Sequence, residues 1–178
     1  MIGGSGRNVG KTTLICAIIR KFVPSTNIIG LKVTSIRPGE ADFHGNHDQP
    51  LSENFRIFEE TNIGSAKDTA RMLKAGARKA YFIQSTDEHL PLAMEAFFKL
   101  VDKHSTIICE TRSLRRYIKP GIFVMITDPS NGGFKDKATE FESYADIHIR
   151  FDTLPSIIDV QADRIDLNAG KWHISDKK

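Results

Sequence analysis

The sequence predicts an α/β fold in which a mostly parallel sheet lies between layers of helices, a three-layer αβα sandwich. Short apolar runs alternate along the chain with stretches of helical spacing, and this alternation is typical of βαβ units. The glycine-rich stretch GGSGRNVGKTTL begins at Gly3 and leads directly into the first helical stretch. A length of 178 residues fits a single domain, residues 1–178, with a substantial apolar core.

The elements of the first half follow from spacing and turn residues. Residues 12–22 (TTLICAIIRKF) carry apolar side chains at helical spacing, and Pro24 ends this helix. Residues 27–33 (NIIGLKV) form a short β-branched run that predicts a buried strand. Residues 35–53 form a long polar stretch, and loops of this length are typically functional. The alternation in residues 54–60 (NFRIFEE) predicts a further strand.

The second half continues the alternation. It predicts helices at residues 66–75, 88–104 and 135–144, strands at residues 80–84, 105–110, 121–126 and 145–151, and a turn or short helix at residues 114–118. Residues 152–178 form a less regular C-terminal extension, in which we expect a small hairpin around residues 168–170.

Composition restricts the partners and the compartment. The formal net charge is +3, from 25 basic and 22 acidic residues, which is too mild to indicate a nucleic-acid partner. No apolar run approaches the roughly 20 residues that a membrane-spanning helix needs. Cys16 and Cys109 lie in apolar patterns without neighbouring cysteines, so we expect buried free thiols in a reducing compartment. The prediction is a cytoplasmic protein that binds neither nucleic acid nor membranes.

The stretch from Gly3 to Gly10, which we call the glycine loop, has the composition of a phosphate cradle. Glycines accept positive φ, so successive backbone N–H groups can turn inward around phosphate oxygens, and the following helix directs its positive end at the same anion. Lys11 would bridge the outer phosphates, and the Thr12 hydroxyl would bind Mg²⁺. The predicted nucleotide-binding residues are Gly4, Ser5, Gly6, Arg7, Asn8, Val9, Gly10, Lys11, Thr12 and Thr13.

The common phosphate-loop pattern, G-x-x-x-x-G-K-T/S, requires glycine where this chain has Ser5. Counting from Gly4 gives a loop one residue longer, which resembles the loop of dethiobiotin synthetase and cobyric acid synthase. The resemblance implies a P-loop NTPase fold of the SIMIBI class. The alternative is a glycine-rich turn followed by Lys and Thr through chance.

The first strand of the predicted sheet is short. A loop of this kind extends from a central strand of about five apolar residues, yet only Met1 and Ile2 precede Gly3. Either this strand is a stub or the true start lies upstream. We expect a truncated N-terminus, which would leave a groove in the sheet and impair folding.

Two acidic residues end strands of the predicted sheet. Glu110 follows the apolar run TIIC, and a carboxylate at such a strand end can orient Mg²⁺ or its water opposite the glycine loop. Lys11 and Glu110 are therefore the predicted catalytic residues, and Thr12 and Glu110 are predicted metal ligands. Asp128 ends the run FVMIT in the same way, but it precedes Pro129 and is equally well explained as a turn residue.

A second distinctive segment is GSAKDTARMLKAGA, residues 64–77. Taken in order with the glycine loop, it resembles the molybdopterin-guanine dinucleotide biosynthesis protein B (MobB) family, or an uncharacterised sister group, over residues 3–127. The matching pieces are Gly10-Lys11-Thr12-Thr13, Lys32, the loop from Asp42 to Asp48, Lys67-Asp68-Thr69, Ala75-Gly76-Ala77 and Glu110. Asp68 suits either the capped start of a helix or a position facing the ligand.

Two further groups of side chains are candidates for ligand contacts. In the polar loop, Asp42 is a predicted third Mg²⁺ ligand, with Asp48 as an alternative, while His44 and His47 either bind Zn²⁺ or Ni²⁺ or are solvated. A basic turn follows Glu110, and its cations either hold a phosphate-bearing substrate or are solvated. These cations are Arg112, Arg115, Arg116 and Lys119.

The MobB resemblance implies a Mg²⁺-dependent GTP- or ATP-binding protein with slow hydrolysis, a weak nucleoside-triphosphatase. It also implies an accessory or adapter role in molybdenum cofactor (guanine dinucleotide) biosynthesis, together with a protein partner from that pathway. Two alternatives stay open: a small-molecule kinase or ligase of the dethiobiotin synthetase type, and a metallochaperone GTPase that uses His44 and His47. A homodimer and the choice between GTP and ATP are also open.

Overall fold

The computed structural model describes residues 1–36, 54–130 and 140–175. Its strands are β1 (Ile2–Gly4), β2 (Ile28–Ser35), β3 (Phe55–Glu59), β4 (Lys79–Ser85), β5 (Thr106–Glu110), β6 (Val124–Thr127), β7 (Ile147–Arg150), β8 (Ile165–Asn168) and β9 (Lys171–Ile174). Its α-helices are α1 (Lys11–Phe22), α2 (Asp68–Lys74), α3 (Leu90–Leu100) and α4 (Leu154–Asp163), and short 3₁₀ helices span Asp87–His89 and Ser113–Arg116.

Seven strands form one sheet in the order β3-β4-β2-β5-β1-β6-β7. All neighbours in it are parallel except β3, which runs antiparallel to β4 at the edge. The sheet order places β1 between β5 and β6, so the glycine loop leaves the centre of the sheet at its carboxyl edge.

Helices cover both faces of the sheet. Helices α1, α2 and α4 share one apolar core with the sheet, in which Leu14, Ile18 and Met72 are fully buried. Helix α3 covers the other face through Leu90 and Phe97. The α/β class with a mostly parallel sheet and flanking helices is confirmed, and the layering is compatible with the expected three-layer arrangement.

Most elements agree with the sequence-based expectations, with shifts at their ends. The helix expected at residues 88–104 begins only at Leu90, after a 3₁₀ turn, and ends at Leu100 because Val101 is extended (φ −118°, ψ 153°). The strand expected at residues 121–126 begins at Val124. Of the helix expected at residues 135–144, residues 140–142 are helical, and residues 131–139 lie outside the described part of the chain.

The C-terminal extension is more regular than we expected. Helix α4 was not predicted. Proline lies in its first turn, where it is tolerated, and Ile157 departs from helical geometry (φ −126°, ψ 16°). The expected hairpin is confirmed as the antiparallel pair β8–β9. Its turn contains Ala169 (φ 48°) and Gly170 (φ 76°).

Strand β1 is only three residues long, as the sequence indicated, but it is paired on both sides. Ile2 is in register with Glu110 on β5 and with Val124 on β6. Beside β1, the indole of Trp172 in β9 covers the sheet, and its Nε1 donates a hydrogen bond to the Ile107 carbonyl (3.0 Å). A cavity of about 20 Å³ lies in this region, and Met1, Ile2 and Trp172 are among the residues that line it.

Candidate functional site

The glycine loop is attached to the end of β6 through Ser5. The Ser5 backbone N–H donates to the Ile126 carbonyl (2.9 Å), and the Ser5 hydroxyl accepts the N–H of Asp128 (2.9 Å). Ser5 is itself buried, with 6% of its surface exposed. A glycine at this position would lack the hydroxyl bond, so the departure from the common loop pattern has a structural role here.

The loop backbone requires small or permissive residues at defined points. Asn8 (φ 59°) and Gly10 (φ 87°) are left-handed, which suits Asn and Gly. At Gly4, a Cβ atom would lie 2.7 Å from Val9 Cγ2 and 3.0 Å from Lys11 Cδ. Gly4 therefore makes room for the Lys11 side chain to fold back along the loop.

Lys11 is the cation at the centre of the loop. Its ammonium donates to the Gly6 carbonyl (2.6 Å), so the loop closes around the side chain. Burial lowers the pKa of Lys11. The charges of Glu110 and Asp68 act in the opposite direction, while the nearby charges of Lys32 and Arg112 lower the pKa of Lys11 further. An anion in the loop would offset those positive charges.

Beyond the ammonium, the first turn of α1 leaves backbone donors available. Gly10 is the N-cap and provides no side-chain cap, and the first turn contains no acidic residue. The first intrahelical bond is the Leu14 N–H to the Gly10 carbonyl (3.0 Å), so the preceding N–H groups have no partner in the helix. An anion is the usual partner for such donors.

Thr12, Asp68 and Glu110 meet beside the loop. The Thr12 Oγ1 lies 2.5 Å from Glu110 Oε2 and 3.0 Å from Asp68 Oδ1. A threonine hydroxyl has one proton and can donate it to only one of the two carboxylates. Three oxygen atoms at this spacing therefore favour a cation, and hydroxyl and carboxylate oxygens are the ligands that Mg²⁺ prefers.

Lys32 completes this cluster. Its ammonium is hydrogen-bonded to Asp68 Oδ2 and lies 3.8 Å from Glu110 Oε1. Burial alone would raise the pKa of Asp68, but the hydrogen bonds from Lys32 and Thr12 and the Lys32 charge bring that pKa below its ordinary value. The side chains of Lys32 and Asp68 are 28% and 27% exposed, while that of Glu110 is 6% exposed.

Sheet register and helix position explain why these residues meet. Lys32 on β2 is in register with Glu110 on β5. By alternation, both share the face of Ile28 and Ile108, which belong to the core under α1 and α2. Asp68 is the first residue of α2, and its carboxylate faces this cluster, where it accepts hydrogen bonds from Thr12 and Lys32.

The other predicted site residues have different surroundings. Thr13 is exposed, and its hydroxyl accepts a hydrogen bond from Arg71 (3.1 Å). Asp128 accepts hydrogen bonds from the backbone and the hydroxyl of Ser130 (2.9 and 2.6 Å), which supports the turn interpretation. The loop candidates lie outside the described residues: Asp42, His44, His47 and Asp48.

The basic turn is largely committed to contacts within the protein. Arg116 pairs with Glu140 (2.8 Å) and Asp87 (3.2 Å). The Arg115 guanidinium stacks on the Tyr144 ring at 4.8 Å. Arg112 also lies over a ring, that of Phe141, and it is the arginine whose charge acts on Lys11.

The two cysteines are buried and free, as the sequence predicted. Burial raises the pKa of Cys109 to about 12 and also raises the pKa of Cys16. Neither thiol is therefore a nucleophile at neutral pH. Among the described residues, no three His, Cys, Asp or Glu side chains group as a metal site, and the oxygen cluster beside Thr12 contains only two carboxylates.

Sequence reasoning left the role of Asp68 open and identified Lys32 only through the family resemblance. A lysine within an otherwise apolar strand run was the available signal for Lys32. No family model, curated protein or solved structure matches this chain. In the described part of the chain, no helix has the length and apolar character to cross a membrane.

Proposed function

We propose that this protein binds a nucleoside triphosphate together with Mg²⁺ at the glycine loop and hydrolyses it slowly. The observation that carries the proposal is the position of the Lys11 ammonium. It lies inside a closed loop at the start of α1, next to the oxygen cluster of Thr12, Asp68 and Glu110. An ammonium at the start of a helix whose first N–H groups have no partner in the helix, beside a cluster of hydroxyl and carboxylate oxygens, suits a polyphosphate with a bound cation.

Phosphate binding would use groups that already point toward the loop. Lys11 would exchange the Gly6 carbonyl for phosphate oxygens. The free N–H groups of the first turn of α1 would donate to the same anion, and the positive end of the helix would favour its charge. Ser5 and Gly4 would keep the loop in place, the first through Asp128 and the second by admitting the Lys11 side chain.

The residues of the oxygen cluster fit Mg²⁺. Thr12, Asp68 and Glu110 would hold it, and the bound ion would neutralise charge on the phosphates. Within the described residues, Asp68 and Glu110 are carboxylates beside the loop, and both already contact Thr12. Because both contact Thr12, and Asp128 beside Ser5 accepts hydrogen bonds from Ser130, we propose that hydrolysis is slow.

The biological role rests on the MobB resemblance of the sequence. We propose an accessory or adapter role in molybdenum cofactor (guanine dinucleotide) biosynthesis, in which nucleotide binding by this chain serves a partner protein. The geometry at the loop is equally suited to GTP and ATP, because every group identified there would contact phosphates or the metal.

Calorimetric titration with GTP and with ATP, each with Mg²⁺, tests the proposal. We expect binding to the wild-type chain. Affinity should weaken at least about a hundredfold in Lys11→Ala, because two charge-assisted hydrogen bonds of about 1.5–3 kcal/mol each are lost. Lys99→Ala, which removes an exposed lysine of α3, is the control and should bind as the wild type does. Equal affinities for the Lys11 variant and the control would refute the assignment.

A further inference from the structure

Lys32 occupies the position where a cation is needed. In the described structure its ammonium contacts Asp68 and lies 3.8 Å from Glu110, the two carboxylates that flank the Thr12 hydroxyl. Two carboxylates this close to one hydroxyl repel each other unless a positive charge lies between them. Lys32 supplies that charge to both carboxylates, while Arg71 pairs with Asp68 at 3.5 Å.

The position of Lys32 follows from the backbone and not from a flexible surface contact. Lys32 lies within β2, whose residues from Ile28 to Leu31 are all buried, and its register partner on β5 is Glu110. Its side chain therefore points into the cluster from the sheet, while Thr12 and Asp68 approach from α1 and α2. Four separate elements, β2, β5, α1 and α2, contribute side chains to this cluster.

A divalent cation at Thr12, Asp68 and Glu110 would lie beside two ammonium groups. Lys32 contacts the same carboxylates, and Lys11 is close enough for the two lysine charges to affect each other. Without a bound anion, the positive charges of the two lysines oppose the binding of a metal ion. A triphosphate would bring several negative charges to the same place and remove that opposition.

We propose that the Lys32 ammonium acts as the resident counter-cation of the metal site, so that Mg²⁺ binds together with the triphosphate and not before it. This inference rests on the proposed function, since it assigns a positioning residue to the same site. Lys32 gives way when metal and triphosphate arrive, and it returns to Asp68 when they leave. Because coupling between ligands is reciprocal, the triphosphate raises metal affinity by the factor by which the metal raises triphosphate affinity.

The test measures metal binding without nucleotide. The probe is Mn²⁺, a stand-in for Mg²⁺, and free aqueous Mn²⁺ is followed by electron paramagnetic resonance. Lys32→Met and Lys32→Gln remove the charge. Lys67→Met is the matched control, because Lys67 is exposed, directly precedes Asp68, and its side chain has no hydrogen bond or ion pair within the described residues.

We expect Mn²⁺ to bind nucleotide-free Lys32→Met at least about tenfold more tightly than the control, since a repelling charge has been removed from the site. Adding Asp68→Asn to Lys32→Met should abolish that gain, because a ligand is lost. Mn²⁺ affinities that are the same in Lys32→Met, Lys32→Gln and the Lys67 control would overturn the inference. They would show that Lys32 is only a structural ion-pair partner.

A measurement on the wild-type chain keeps the inference testable if the Lys32 variants do not fold. The ammonium signals of ¹⁵N-labelled lysine report on the Lys32 ion pair. They should change with Mn²⁺ plus triphosphate and stay unchanged with the same Mn²⁺ concentration alone. An equal change with Mn²⁺ alone would contradict the inference.

The proposed function is tested separately by triphosphate titration in the presence of Mg²⁺. A wild-type chain that binds no triphosphate would refute the proposed function, whereas the nucleotide-free Mn²⁺ comparison would still decide the role of Lys32. Conversely, intact triphosphate binding with no metal gain in the Lys32 variants would leave the proposed function standing and refute the inference alone.

Discussion

At the carboxyl edge of the sheet, charged side chains form a cluster. Toward the amino edge, apolar side chains pack over the sheet beside β1. The carboxyl edge holds Lys11, Lys32, Asp68 and Glu110 around one hydroxyl. The amino edge holds Trp172 beside the isoleucines of β5 and Val124 of β6. The first arrangement gains little stability without a ligand, while the second stabilises the sheet in every state.

The comparison predicts that the two edges can be damaged independently. Substitutions at the amino edge should change the free energy of unfolding and leave ligand binding intact. Substitutions at the carboxyl edge should change binding more than stability. The following variants test this separation, from the largest expected effect to the smallest.

Trp172→Ala should have the largest effect on stability. It removes the indole that packs edge-on against Phe22 (5.5 Å between ring centroids) and donates to Ile107. We expect a loss of about 3 kcal/mol in the free energy of unfolding, measured by urea denaturation. Triphosphate affinity should stay within about twofold of the wild type, since no atom of the glycine loop is touched.

Trp172→Phe is the matched control for that variant. It keeps an aromatic ring but loses the Nε1 bond to the Ile107 carbonyl, so we expect a loss of only about 1 kcal/mol. If Trp172→Ala abolished triphosphate binding while the chain stayed folded, the two edges would be coupled and the comparison would be wrong.

Gly4→Ala should affect binding more than stability. The added Cβ would lie 2.7 Å from Val9 and 3.0 Å from the Lys11 side chain, which displaces the ammonium from the loop. We expect at least about a tenfold loss in triphosphate affinity and a loss of about 1–3 kcal/mol in unfolding free energy. The control is Gly64→Ala, where the nearest atom is the movable Asn62 side chain at 3.2 Å. Wild-type affinity in Gly4→Ala would contradict the assigned path of Lys11.

Asp68→Asn should have the smallest effect on the free energy of unfolding, and this effect should depend on pH. The pKa of Asp68 is held below its ordinary value of 3.8, so its charge stabilises the folded chain above that value. The stabilisation is lost as pH falls through the lowered pKa. The difference in unfolding free energy between wild type and Asp68→Asn should therefore be constant above about pH 5 and shrink below about pH 4.

That difference is measured by urea denaturation across the acid range. Asp87→Asn is a useful comparison, since Asp87 also pairs with a basic side chain but lies away from the oxygen cluster. A difference in unfolding free energy between wild type and Asp68→Asn that stays constant down to about pH 2.5 would contradict this prediction. It would show that the Lys32 and Thr12 contacts do not stabilise the Asp68 carboxylate.

Regular spacing made much of the fold predictable. The apolar period of α1 and the β-branched runs of β2 and β5 indicate their structure without any tertiary contact. Helix α4 was missed, and its backbone departs from regular helical geometry at Ile157. The closure of the sheet by Trp172 was also missed, because Ile107 lies 65 positions away in the chain.

The candidate site was predictable in its motif and not in its contacts. Lys11, Thr12 and Glu110 follow from a glycine loop and a strand end, which are local patterns. The pairing of Lys32 with Asp68 spans 36 positions and depends on the register of β2 with β5 and on where α2 begins. For the basic turn the sequence left a ligand contact and solvation open, and local reasoning could not show that Arg116 pairs with Glu140 and Asp87.

A crystal structure with Mg²⁺ and a non-hydrolysable triphosphate tests the central claim most directly. The account predicts phosphates inside the glycine loop, Lys11 moved from the Gly6 carbonyl to phosphate oxygens, and Mg²⁺ at the Thr12 hydroxyl. A contradicting result is also well defined. The triphosphate would lie instead in the cavity of about 580 Å³ near Asn27, Arg78 and His104, with Lys11 still bound to Gly6.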